Sequence, residues 1–184
     1  MPMPRYSDFI DRVLLAPDLL AKLHPGGPLD YDLSRRMRET DDATLAGGAI
    51  GDVGTFALVR GAVLYALDEL DAAHRIFQDD SSALGSYWHG MMHRREADFD
   101  NARYWFRRAG RLGVFGRLHE LAQDASRDMA KQPTWDPYLF TGQCEQAKFG
   151  ATELIPECVA LQRAEFAGML AHCWEKAAIT QPQA

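Results

Sequence analysis

The sequence predicts an all-α protein, and three observations predict it. Apolar residues recur at three- and four-residue steps along most of the chain, the spacing that gathers one face of a helix. No run alternates apolar with polar residues as a half-buried strand does. Short breaks rich in Gly, Pro, Asp and Ser separate the periodic stretches, and several of them offer residues suited to capping helices. At 184 residues the chain suits one compact domain with a single core.

Taken in order, Ser7 stands as the N-cap of a first helix carrying Phe9, Ile10, Val13 and Leu14 on one face and ending by Pro17. A second short helix is expected from Asp18 to Leu23, stopped by His24-Pro25-Gly26-Gly27-Pro28, whose residues fix or free φ as turns require. From Asp30 to Gly54 the four glycines Gly47, Gly48, Gly51 and Gly54 each weaken a helix, so residues 1–54 read as irregular helices and loops. The centre is better defined, with helices expected over Thr55–Leu67, Asp71–Gln78, Leu84–Arg95 and Phe99–Arg108.

Residues 111–184 read as C-terminal helices, the first an amphipathic stretch from Leu118 to Ala130. Asp136 then caps a helix that begins at Pro137, where the missing proline N–H costs nothing. The clearest helix is the last: Leu154, Ile155, Cys158, Leu161, Phe166, Met169, Leu170, Cys173, Trp174 and Ala177 form one apolar stripe. The tail from Thr180 to Ala184 is expected to fray.

Composition narrows the class. With 47% apolar and 25% charged residues the chain is an ordinary globular one, neither disordered nor fibrous. A net charge of −6 disfavours broad binding to nucleic acid or to an anionic membrane. The start shows no basic segment followed by an apolar one, and the longest stretch free of charged residues, Ser81–His93, is too short and polar to span a bilayer. Cys144, Cys158 and Cys173 are scattered, with no CxxC pair, and read as buried thiols. A soluble, cytoplasmic protein is the expectation.

Sliding the centre against itself gives a match at an offset of 29. Gly61 falls on Gly90, Leu70 on Phe99, Asp71 on Asp100, Ala73 on Ala102, Ile76 on Trp105 and Phe77 on Phe106. A glycine on one helix lets the next approach closely where its alanine lies, and the phenylalanine fills the following turn. This pattern, with Ala109 three residues beyond Phe106, resembles the tetratricopeptide repeat, and Asp98 to Ala109 is especially similar to that family's second helix. The chain departs from the family in its spacing of 29, in Asp80 where the second copy has Ala109, and in having no third copy. The string Ser86-Tyr87-Trp88-His89-Gly90 to His93-Arg94-Arg95-Glu96 also resembles uncharacterised bacterial all-helical proteins, a likeness that names no activity.

The resemblance covers about residues 55 to 110 and implies a helical-hairpin array in one domain with flanking helices. It further implies a concave face that binds a peptide or partner helix. By position that face would present Leu58, Ala62 and Tyr65 from the first hairpin, and Tyr87, Met91, Arg94 and Arg95 from the second. The last four would make a clamp for an acidic or carboxylate-bearing ligand. The leading expectation is therefore a non-enzymatic binding or assembly module, its partner a protein, a peptide or a second copy of the chain, with no cofactor.

A second reading starts from His89 and His93. Four residues apart on a helix, their imidazoles leave the same face, the spacing of two ligands of a divalent transition metal. The Glu next to the first histidine in HExxH is missing, Gly90 standing there instead. Asp98, Asp100, Glu120, His119 and His172 are the candidates for a third ligand. This reading makes the chain a small metal-binding protein or a metal-dependent enzyme; the alternative is that both histidines are packed and hydrogen-bonded.

Two further groups read as structural. Arg94, Arg95, Arg103, Arg107, Arg108, Arg111 and Arg117 are interleaved with Trp88, Tyr104, Trp105 and Phe106, a composition seen in nucleic-acid surfaces. Glu96, Asp98, Asp100 and Glu120 in the same span are expected to neutralise them, so nucleic acid is not the expected partner. Cys158, Glu165 and His172 recur every seven residues on the last helix, too far apart to act together, and are assigned to the core and its edge. No phosphate-binding glycine loop and no nucleophile elbow is present.

Overall fold

A computed structural model describes residues 4–177 and 179–180, and among them the fold is all-α. Helix α1 (Asp8–Leu14) begins at Ser7, whose hydroxyl accepts from the Ile10 N–H as its sequence position predicts. The short helix expected over residues 18–23 does not form. Asp18 and Leu20 take left-handed φ values of 60° and 54°, and Leu20 is drawn into the core. Burying that leucine outweighs the strain of the turn, which no helical period in the sequence signals.

Residues 30–54 contain two short helices, α2 (Tyr31–Glu39) and α3 (Asp42–Ala46), capped by Asp30 and Asp41. Gly47 closes α3 in the left-handed conformation. The expected loop character survives in residues 47–52, which pair with the end of the last helix through Gly51 and Asp52 N–H groups on the Ala177 carbonyl. Thr180, expected to fray, is held by a two-way backbone pairing with Ala49; residues 181–184 lie outside the described residues.

Two hairpins form the centre. Helices α4 (Val53–Ala66) and α5 (Leu70–Asp79) make the first, α6 (Ala83–Arg95) and α7 (Phe99–Ala109) the second, and α5 packs against α6. The offset of 29 is visible in three dimensions. The turns place Asp68 and Ala97 at φ 62° each, and the bonds Asp68 to Tyr65 and Glu69 to Leu64 recur as Ala97 to Arg94 and Asp98 to His93.

Gly61 and Gly90 serve the same purpose in the two hairpins. A Cβ on Gly61 would stand 2.5 Å from Phe77 Cε1, and one on Gly90 2.7 Å from Phe106 Cε1, so each phenylalanine ring occupies the space a side chain would need. Gly90→Ala should therefore lower stability by about 1–3 kcal/mol through overpacking, even though alanine favours a helix by about 1 kcal/mol over glycine. Urea unfolding measures this directly, and an unchanged midpoint would show that Phe106 is not held against the backbone.

The remaining helices wrap this centre. The stretch expected as one helix over 118–130 is broken into α8 (Phe115–Ala122) and α9 (Arg127–Ala130), because Ser126 caps α9 and restarts the chain there. Helix α10 (Pro137–Lys148) starts as predicted, Asp136 accepting from Tyr138 and Leu139 N–H groups. Helix α11 (Ile155–Lys176) packs on α4, α8 and α10 and carries Phe166 against Tyr65 and Trp88. The three cysteines are buried and free. No helix among the described residues is long and apolar enough to cross a membrane.

Candidate metal centre

Helix α6 lies at the middle of the fold and is buried on every side from Leu84 to Arg95. A helix buried all round but rich in polar residues must find partners for them inside the protein, since a buried polar group without one costs about 1–3 kcal/mol. Those partners decide what the predicted site residues do.

Tyr87, Met91, Arg94 and Arg95 do not line an open groove. All four are at most 1% exposed. The concave face assigned to a partner peptide is filled by the chain's own α11, and the carboxylate that meets the clamp is Glu165. Tyr87 Oη donates to Glu165 Oε1 at 2.7 Å, and Arg94 donates to both Glu165 oxygens. Trp135 Nε1 donates in turn to Tyr87 Oη at 2.6 Å, and the Arg94 guanidinium lies 4.0 Å above the Phe140 ring. Arg95 is taken up by the first hairpin turn, donating to the Tyr65 carbonyl at 2.8 Å and to Asp68 Oδ1 at 2.6 Å. Leu58, Ala62 and Tyr65 are buried with them.

The expected neutralisation of the wider arginine set is met only in part: among the described residues Arg107, Arg108 and Arg111 form no ion pair, and Arg108 lies over the Trp105 ring. Arg103 pairs with Glu145 as well as Asp100, and Arg117 with Glu175.

The histidines behave differently. His89 is 2% exposed, yet neither ring nitrogen has a hydrogen-bond partner. Its ring lies between Trp105, 3.9 Å away and nearly parallel, and His93, 4.7 Å away and also nearly parallel. Burial, and the nearness of His93 and His74, push the His89 pKa down to about 3, so the imidazole is neutral, with a hydrogen on one ring nitrogen and a free lone pair on the other. His93 is also lowered, chiefly by burial, with Glu96 pulling the other way.

The third member is His74. Its half-buried ring stands 4.7 Å from that of His89 and 5.3 Å from that of His93, and one ligand nitrogen from each of the three lies within 4.8 Å of the others. The candidates named for this place are elsewhere. Asp98 caps α7, Asp100 is exposed and pairs with Arg103, His119 bonds the Met129 carbonyl, and Glu120 and His172 are not in the cluster. His74 was missed because nothing on α5 repeats it. The available signal was the hairpin register: His74 follows Ala73 and precedes Phe77 by three, on the side of α5 that the next hairpin covers.

Around the three rings stand two partners of His93. Glu96 Oε2 lies 3.0 Å from His93 Nδ1, and Asn101 Nδ2 lies across the ring, 3.1 Å from His93 Nε2 and 3.5 Å from Nδ1. Comparison with known proteins finds no matching family model, curated protein or solved structure. The chemistry of the chain is therefore read from its own residues.

Proposed function

We propose that this protein binds a divalent transition metal through His74, His89 and His93. The observation that carries the reading is His89: a buried imidazole with both nitrogens unbonded, in reach of two further imidazoles. A packed structural histidine would be bonded to a carboxylate or a backbone group, as His119 is.

Three imidazole nitrogens suit zinc, cobalt, nickel, copper or iron and not magnesium or calcium, which take oxygen. For Zn–N bonds of about 2.1 Å in a tetrahedron the nitrogens stand about 3.4 Å apart. The rings must then draw in by at most about 1.4 Å from their 4.8 Å limit, a rotation of side chains rather than a movement of helices. The Glu96 carboxylate holding His93 is the outer-sphere arrangement that orients a metal-ligating imidazole. Three protein ligands leave a fourth position for water or a small ligand, as in metal sites that react or exchange; the half-buried His74 edge is where such a ligand would enter.

Chelator-treated protein titrated with Zn²⁺ tests this. One ion per chain is expected, with the thermal midpoint rising as zinc increases because the ion binds the folded state. No uptake of Zn²⁺, Co²⁺ or Ni²⁺ and an unmoved midpoint would overturn the reading.

A further inference from the structure

We propose that Cys144 and Cys158 form a peroxide-reactive pair, a modification site that closes into a disulfide between α10 and α11. The two helices pack together and are joined by residues 149–154. Gln143 Nε2 donates to Glu157 Oε1 at 2.8 Å, and the next residue on each helix is a cysteine. Both cysteines are buried, at 2% and 0% exposure, and their thiols share a hydrogen bond. Each sulfur therefore already faces the atom it would bond.

That hydrogen bond makes the two sulfurs unequal. Cys144 donates and keeps its proton, the bond and burial both pushing its pKa up. Cys158 accepts, and the bond, helped by the Arg94 guanidinium, draws its pKa down against burial and the Glu157 carboxylate. Arg94 is held there by Glu165, which shares a face of α11 with Cys158. Cys158 is therefore the nucleophile and Cys144 the resolving thiol. Cys173 differs: Trp88 Nε1 donates to its sulfur at 3.3 Å, and burial pushes its pKa up to about 12. A cleft of about 410 Å³ has Ala147 and Ile155 in its wall, each one turn from a cysteine, and a hydroperoxide is small enough to enter as that wall opens locally.

The Cys158 thiolate attacks one peroxide oxygen, the O–O bond breaks, and the departing hydroxide takes the proton that Cys158 gave up. The Cys144 sulfur then attacks the sulfenic sulfur, the S–O bond breaks, and hydroxide leaves as water with the Cys144 proton. Two thiols are oxidised to one disulfide, and one peroxide is reduced to two waters.

Hydrogen peroxide added to the folded protein, followed by acid quenching, alkylation in denaturant and peptide mapping, tests this. The pair does not depend on the three histidines, and chelator keeps metal-catalysed oxidation out of the measurement. The expected product is a linked Cys144–Cys158 peptide, with Cys173 recovered as an alkylated thiol. Cys144→Ser should leave Cys158 as a sulfenic acid that dimedone captures, and Cys158→Ser should leave Cys144 a thiol. Both thiols intact under peroxide that fully oxidises glutathione would overturn the proposal. So would a bridge to Cys173 in place of this pair, or dimedone capture at Cys144 and not at Cys158. Should a serine variant fail to fold, the alanine variant at the same position, which buries no hydroxyl, gives the same comparison.

Discussion

Glu165→Ala is expected to lower stability by about 3–5 kcal/mol, enough to unfold a domain of ordinary stability under mild conditions. Glu165 is fully buried and is the common acceptor for Arg94 and Tyr87. Without it the guanidinium remains inside the protein, uncompensated, between Phe140 and Phe106. The attraction to Glu165 and the loss of water at Arg94 are large opposing effects. Burial alone would lower the Arg94 pKa, and the neighbouring carboxylate reverses that, so Arg94 stays charged. Removing one partner leaves only the unfavourable side.

Replacing both should cost less. In Arg94→Met/Glu165→Leu no charge is left stranded, and the residual cost is that Tyr87 Oη loses its acceptor, about 1–3 kcal/mol. Urea unfolding of the single and double variants checks this. A double variant less stable than Glu165→Ala would contradict the pairing described here.

His74→Ala is the second large expected effect. If His89 and His93 alone bound metal, as their spacing on one helix suggests, removing His74 would matter little. With three ligands, its loss should weaken Zn²⁺ binding by more than the ~10–100-fold that removal of an outer-shell partner costs. Because His74 is half-buried at the edge of the cluster, the variant should fold, and its thermal midpoint in chelator should stay close to wild type. Zinc affinity by chelator competition, with Glu96→Gln as the outer-shell comparison, separates the two cases. An affinity for His74→Ala no weaker than for Glu96→Gln would remove His74 from the ligand set.

What the sequence made legible follows local physics. Ser7, Asp136 and Pro137 announce helix starts through their own side chains, and those starts lie where they were expected. Gly61 and Gly90 could be matched to Phe77 and Phe106 because a packed hairpin repeats its close approach at a fixed offset. The 18–23 segment was not legible, since its left-handed turn is held by where Leu20 is buried and not by its neighbours in sequence.

The arginine clamp shows a different limit. Tyr87 and Arg94 do meet a carboxylate, but it is Glu165 of α11, some seventy residues away in the same chain, and not that of a ligand. Sequence could give the affinity of the residues and not the identity of their partner. The same holds for the three-histidine cluster. Two of its histidines are a local pattern; His74 reaches them only because α5 packs on α6.

X-ray absorption at the zinc edge, on protein loaded with one equivalent of Zn²⁺, tests the central claim most directly. The prediction is nitrogen and oxygen scatterers at about 2.0–2.1 Å and no sulfur at about 2.3 Å, with the outer-shell pattern of three imidazoles, falling to two in His74→Ala. A sulfur shell, or a spectrum with fewer than three imidazoles in the wild-type chain, would contradict it.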